Sequence, residues 1–283
     1  MLTYFQAILM GALQGFSELF PVSSLGHSVI LPKLLGWSVN QNDNFFLIFL
    51  VATHLATALV LLGFFYKDWL LIIKGIFRSI KIREINSADI YTKLGWLIVI
   101  GTIPAGILGL LFQDKLKALF ASPNIVAIFL ILNGLMLFGA EFLKNKIENK
   151  TSDDELISKM TWGQSVKIGL AQCLALIPGF SRTGSTIGGG LLIGLNHKDA
   201  ARFSFLLATP IIFAASLLKL PELITSGDTG ATGPILVGSA VAAITAFLSV
   251  SFLTKYFETK KLTPFAVYCV AIGILSCAVF FFR

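Results

Sequence analysis

The chain has 283 residues, 55% of them hydrophobic and only 13% charged, with a formal net charge of +7. A mean hydropathy of +0.83 and several apolar runs near or above bilayer-crossing length mark an integral membrane protein. The positive charge does not point to nucleic acid, because the basic residues lie mostly between apolar runs, where they orient a membrane chain.

The N-terminal stretch is apolar but carries no Lys or Arg before Lys33. It lacks the charged first region of a signal peptide and is expected to stay in the mature protein. Residues 2–35 are hydrophobic but interrupted by Gln14-Gly15-Phe16-Ser17-Glu18 and Pro21-Val22-Ser23-Ser24-Leu25-Gly26-His27. That is too polar for an unbroken span and too apolar for an aqueous loop, so a hairpin that enters the membrane and returns is expected. Apolar spans follow at 45–66, 94–112 and 124–143. A second interrupted segment, 162–195, holds Pro178-Gly179-Phe180-Ser181-Arg182-Thr183-Gly184-Ser185-Thr186, and further spans lie at 203–220, 234–254 and 264–282. Each span has about 20 residues and as a helix covers about 30 Å. The expected fold is an all-α polytopic membrane protein with six full transmembrane helices and two re-entrant helical hairpins, in one membrane domain, 1–283.

Loop charge sets the orientation. The connections 67–93, 144–160 and 255–263 are rich in Lys and Arg and are expected in the cytoplasm; 113–123 and 221–233 are not, and are expected outside, as are both termini. Between Trp69 and Ile80, apolar residues alternate with Lys74 and Arg78, the pattern of an interfacial helix. Overlaying the halves, about 1–143 and 160–283, on Ser24 and Ser181 aligns Gln14 before Pro21-x-x-Ser24 with Gln172 before Pro178-x-x-Ser181. Ala52-Thr53-His54 then matches Ala208-Thr209-Pro210, and Pro104 matches Pro264. The span after the first hairpin runs inward and that after the second runs outward, so the repeat is expected to be inverted, with its site near the midplane.

Charged and hydroxyl side chains inside a bilayer carry a desolvation cost that packing does not require, which makes the two polar clusters the candidate site. Ser23, Ser24 and His27 follow Pro21, Gly26 permits close approach to a bound group, and a helix starting here points its N–H groups at an anion. In the second cluster Arg182 offers a planar fork for phosphate oxygens, beside Ser181, Thr183, Ser185 and Thr186. Glu18, one helical turn after Gln14, suits a general base or an oxygen ligand for a divalent cation, with Gln14 as a second oxygen donor. The plain alternatives are helix capping for the hydroxyls and a buried ion pair for Glu18 and Arg182. His54 and Gln172 read as packing or hydrogen-bonding residues, Gly188-Gly189-Gly190 as a helix contact, and Cys173, Cys269 and Cys277 as small apolar residues.

Gln-x-x-x-Glu leading to Pro-Val-Ser-Ser-x-Gly-His, and Pro-Gly-x-Ser-Arg-x-Gly with a following Thr, resemble the two signatures of the bacitracin-resistance type undecaprenyl-diphosphate phosphatases. The stretch Phe203 to Pro210 adds to the resemblance, which covers essentially the whole chain. It implies a bacterial inner-membrane enzyme that hydrolyses undecaprenyl diphosphate to undecaprenyl phosphate and inorganic phosphate, recycling the carrier for cell-wall synthesis from a pocket open to the outer face. It also implies a divalent cation, Mg2+ or Ca2+, on Glu18 and Gln14. By the same resemblance Glu18, Ser24, His27 and Arg182 are catalytic, and Gln14, Ser23, Gly26, Ser181, Thr183 and Thr186 contact substrate. Two positions depart from the family pattern: Gln14 where Glu is frequent, and Leu25 where Thr is frequent. The expected partners are a long-chain prenyl diphosphate and the membrane, with a homodimer as the candidate assembly and no nucleic acid. The attacking group stays open among Ser24, His27 and water. The rival reading is an inverted-repeat lipid-phosphate transporter or flippase.

Overall fold

The computed structural model describes residues 2–37, 39–40, 43–85, 89–120, 122–144, 157, 159–224 and 232–282, with side chains omitted for 113–120 and 220–224. The described residues are helical and contain no strand. In chain order the helices are α1 (Tyr4–Leu19), α2 (Ser24–Leu34), α3 (Asn44–Phe64), α4 (Tyr66–Ile82), α5 (Ile90–Phe120) and α6 (Pro123–Lys144). They continue with α7 (Trp162–Gln172) and its 3-10 extension Cys173–Leu176, α8 (Arg182–Leu192), α9 (His197–Ile224), α10 (Thr232–Tyr256) and α11 (Thr263–Phe281).

Among the described residues six helices, α3, α5, α6, α9, α10 and α11, are long and apolar enough to cross a membrane. The expected spans agree with them except in α5 and α9. The fifth helix begins at Ile90 rather than 94 and the ninth at His197 rather than 203, and both also run on at their C-terminal ends, to Phe120 rather than 112 and to Ile224 rather than 220. In α9 the extra N-terminal turns are polar: Asn196 Oδ1 accepts the Asp199 N–H at 2.7 Å, and Arg202 donates to Asp68 on α4 at 3.0 Å. Hydropathy alone stops short of a helix whose first turns are stabilised by side-chain bonds. The expected interfacial helix is α4, which leaves Leu70, Ile73, Phe77 and Ile80 exposed while Ile72, Gly75 and Ser79 are buried. The expected 113–123 connection is helical as far as Phe120, the end of α5, whereas the 144–160 and 221–233 connections lie largely outside the described residues.

Each interrupted segment is a helix pair broken at its polar cluster. Both pairs open on a capping box, Thr3 with Gln6 and Thr161 with Gln164. In both, the second helix is capped by a serine whose Oγ accepts an N–H three residues on, Ser23 from Gly26 at 3.1 Å and Ser181 from Gly184 at 3.0 Å. Thr3 and Thr161, Gln14 and Gln172, Ser23 and Ser181, and Gly26 and Gly184 all stand at one constant sequence offset. The overlay on Ser24 and Ser181 is therefore one residue out of register. An N-cap oxygen, not the prolines, defines where each helix starts, and Ser24 corresponds to Arg182.

The helices pack as two exchanged pairs, α1 on α10 and α7 on α5, with α6 on α11 and α3 on α9 between them. Small residues make the contacts close. A Cβ at Gly11 would lie 2.2 Å from the Gly238 carbonyl oxygen, and one at Gly15 would lie 2.1 Å from that of Ala242, so α1 presents a Gly-x-x-x-Gly face to α10. On the other side, a Cβ at Gly169 would come within 2.4 Å of the Gly101 oxygen. Where lipid replaces water, such close packing and interhelical hydrogen bonds, rather than burial from water, hold helices together. Gly188, Gly189 and Gly190 face Ala140, Ala171 and Ala200 on three different helices, so this run is a packing surface as expected.

Candidate functional site

The two broken pairs meet at their turns. Gly26 and Gly179 touch: a Cβ at Gly26 would lie 3.2 Å from the Gly179 Cα. Gly179 has φ +110, and any Cβ there would lie 2.6 Å from both Phe129 Cβ and the Val126 oxygen, so glycine is required for the turn and for its approach to α6. Asn133, fully buried on α6, holds both turns at once. Its Nδ2 donates to the Pro21 carbonyl at 3.2 Å and to Cys269 Sγ at 3.3 Å, and its Oδ1 accepts the Ser181 N–H at 2.9 Å.

At this junction Glu18, 7% exposed, collects the polar groups of both halves. Ser24 Oγ donates to its Oε2 at 2.5 Å and Gln14 Nε2 to the same oxygen at 3.1 Å; Arg182 Nη2 donates to Oε1 at 3.0 Å. Ser24 and Arg182 are the first residues of α2 and α8, so the starts of the two helices converge on one carboxylate, with the positive ends of both dipoles turned towards it. Thr183 Oγ1 donates to the Glu18 main-chain oxygen at 2.9 Å, tying the second cluster to the first.

Only part of the Arg182 fork is used. Its Nε and Nη1 are buried and have no hydrogen-bond partner among the described residues, and the same holds for Gln14 Oε1. Buried polar atoms left unpaired are costly in a native protein unless a ligand, ion or water meets them. Unpaired guanidinium hydrogens suit an anion, and a lone amide oxygen beside a carboxylate suits a hard cation.

Other expected site residues are already engaged. Ser23 and Ser181 cap their helices. Thr186 Oγ1 donates to the Arg182 carbonyl at 2.9 Å and lies 2.5 Å from Ser204 Oγ, and so stands behind the arginine. Ser185 Oγ points to Met136 Sδ at 3.8 Å. Ser24 and His27 are not bonded to each other: the His27 ring nitrogens bind the Ser23 carbonyl at 2.7 Å and Tyr268 Oη at 2.9 Å.

His54, expected to pack or hydrogen-bond, hydrogen-bonds at the site itself: its Nε2 lies 3.2 Å from Glu18 Oε2 while Nδ1 is 2.7 Å from the Leu50 carbonyl. That carbonyl can only accept, so Nδ1 carries a hydrogen, and attraction between Nε2 and Glu18 requires a second proton between them. Asn133 and Tyr268 went unnoticed in the sequence. A lone Asn in the middle of an apolar span was the available signal for the first; Tyr268 near a helix end had none.

A six-span helical membrane protein with a carboxylate, a half-used guanidinium and a serine hydroxyl gathered at the junction of two broken helix pairs belongs to the polytopic membrane proteins with an intramembrane polar centre. The chain belongs to the family described as bacitracin resistance protein BacA, which matches residues 7–275. An undecaprenyl-diphosphatase of Mycolicibacterium paratuberculosis is 44% identical, over 96% of this chain and 95% of that relative. Undecaprenyl-diphosphatase 2 of Chromobacterium violaceum is 45% identical, over 96% of both chains, and the undecaprenyl-diphosphatase of Gluconacetobacter diazotrophicus is 44% identical over 97% and 96%.

Proposed function

We propose that this protein is an undecaprenyl-diphosphatase, a membrane enzyme that releases inorganic phosphate from undecaprenyl diphosphate and returns undecaprenyl phosphate to cell-wall synthesis. The observation that carries the reading is Arg182, whose buried Nε and Nη1 are unpartnered beside the Ser24–Glu18 hydrogen bond. The names of the relatives support the same chemistry.

In this reading the terminal phosphate of the substrate binds the free side of the Arg182 fork at the convergent starts of α2 and α8. Ser24 Oγ attacks the terminal phosphorus, and its proton passes to Glu18 along the 2.5 Å hydrogen bond. The bond to the bridging oxygen breaks and undecaprenyl phosphate leaves, its freed oxygen taking the proton from Glu18. Glu18, a carboxylate again, takes a proton from the water that attacks the phosphoserine and passes it to the Ser24 oxygen as inorganic phosphate is released. His27 is not the attacking group here, since its Nε2 is bound by Tyr268 and its Nδ1 by the Ser23 carbonyl.

Gln14 Oε1 and the Glu18 carboxylate would hold a divalent cation, Mg2+ or Ca2+, as adjacent hard oxygen donors. The described residues contain no group of three or more His, Cys, Asp or Glu, so the diphosphate and water would complete its shell. Such a cation supplies neutralisation of the diphosphate charge.

The two halves are read as an inverted repeat and the two broken pairs as re-entrant hairpins. The constant offset of the paired caps and the exchanged packing of α1 on α10 and α7 on α5 support this. The site opens to the outer face of the inner membrane, with both termini outside, on the strength of loop charge. Purified protein given a long-chain prenyl diphosphate should release inorganic phosphate at a rate abolished by Arg182→Ala. Movement of the lipid across vesicles without phosphate release would instead establish the transporter reading.

A further inference from the structure

His27 and Tyr268 form a pair to one side of the carboxylate centre. His27 is 5% exposed, and its ring stacks on that of Tyr268 with centroids 5.6 Å apart and planes 13° from parallel. The hydrogens can be assigned by elimination. The Ser23 carbonyl, 2.7 Å from Nδ1, can only accept, so Nδ1 carries a hydrogen; Nε2 of the neutral ring then accepts, and the Tyr268 hydroxyl at 2.9 Å donates to it. The Ser23 oxygen also receives the His27 main-chain N–H at 3.1 Å, so a single residue binds it twice.

Ser23 is one of two non-glycine residues with positive φ among the described residues, at φ 71 and ψ 96. A serine holds such a backbone only where its surroundings over-determine it. Here they do: its Oγ caps Gly26, and its oxygen is pinned by His27. The next residue is Ser24, whose Oγ must lie against Glu18. Any relaxation at Ser23 swings Ser24 away from the base.

We propose that Tyr268 is a positioning residue of the reaction. Its hydroxyl donates to Nε2 and fixes the orientation of the His27 ring, and the His27 bond to the Ser23 carbonyl holds the left-handed turn that aims Ser24 at Glu18. The proposal rests on the reading of Ser24 as the attacking group. Tyr268 reaches from α11, the partner of α6 across the centre of the molecule, so this contact ties the aim of the serine to the α6–α11 pair. The ring is partly exposed, and loss of its hydroxyl opens no buried cavity.

Tyr268→Phe keeps the stacked ring and removes the hydroxyl alone. It should lower kcat by roughly 3- to 10-fold, the worth of one net hydrogen bond, with KM unchanged. In a His27→Ala background the same substitution should cost nothing further, because the two residues act in series. Nitrogen NMR of the labelled protein, which has three histidines, should show His27 protonated at Nδ1 in both proteins, with the Nε2 resonance shifted in Tyr268→Phe by loss of its hydrogen bond. A Tyr268→Phe protein with parental kcat, or one whose loss is equally large with and without His27, overturns the proposal, as does an unchanged Nε2 resonance. Ser24→Ala is the separate control: if it remains active, the assignment of the attacking group fails, whereas an inactive Ser24→Ala beside an unaffected Tyr268→Phe rejects the tyrosine role alone.

Discussion

Removing the side chain of Asn133 tests whether one residue of α6 keeps the two turns in register. In Asn133→Ala the Ser181 N–H loses its 2.9 Å acceptor and the Pro21 carbonyl its 3.2 Å donor, both buried. For Pro21 the remaining described contact is Cys269 Sγ at 3.8 Å, too long to compensate. An unpaired buried main-chain group costs about 1–3 kcal/mol, and polar contacts in membrane proteins average about 0.6 with a maximum near 1.7. Two orphaned main-chain groups with no rotamer freedom belong towards the upper part of those ranges, which gives a loss of about 2–4 kcal/mol. Denaturation of the purified protein in detergent measures it, with Cys269→Ala, which removes one buried sulfur but leaves the Asn133 clamp in place, as the control that should cost only about 1 kcal/mol. Turnover should fall as well, although Asn133 touches neither Glu18 nor Arg182 through its side chain. Parental stability and parental turnover together would mean that the turns hold each other without the clamp.

Arg182→Lys keeps the charge but loses the fork and should reduce turnover at least about 10-fold; Arg182→Ala should lose several kcal/mol of transition-state stabilisation. Near-parental turnover by either, in protein that remains monodisperse, would reduce Arg182 to a structural partner of Glu18. Glu18→Gln should abolish most phosphate release, Gln14→Glu should be tolerated, and exhaustive chelation should inhibit the parent; full activity without metal would remove the cation from the reading. Gly179→Ala should prevent stable folding, since its Cβ would meet a backbone oxygen and a Cβ at 2.6 Å in a conformation closed to alanine. Cysteines placed at Lys81 and Ser226 in a cysteine-free version should differ in labelling by an impermeant reagent, with only the second reacting in intact cells. Lys81 is exposed, whereas Ser79 is buried and bonded to Trp96 and would be a poor reporter.

The helices were legible because a membrane simplifies the code: long apolar runs must be helices, and polar interruptions must be buried in protein. The candidate site was legible for the same reason, since Glu18, Ser24 and Arg182 stand out against apolar surroundings. Their partners were not. His54 lies on a span whose periodicity gives no sign that its ring reaches another helix, and nothing local links Tyr268 to His27 across 241 positions. The register of the repeat was missed by one residue because Pro21 and Pro178 drew the alignment, while the feature the fold repeats is the capping serine.

That register explains why two similar halves make a site that neither contains alone. At the offset that equates Ser23 with Ser181, Ser24 coincides with Arg182, Glu18 with Leu176, and His27 with Ser185. The caps recur and the polar residues beside them differ. Each half ends a broken helix at a capped turn and begins the next with a polar residue at the junction; the first half supplies the hydroxyl and the carboxylate, the second the guanidinium. Two arginines at the paired positions would face each other with a single carboxylate between them, and two serines would leave the diphosphate without a fixed cation of the protein. With one guanidinium and the protonated His54 on a shared carboxylate, the resting site carries a net positive charge, which is costly inside the membrane until an anion binds. A phosphate bound at the free face of the arginine would share that cation with Glu18, to which the Ser24 hydroxyl is already hydrogen-bonded.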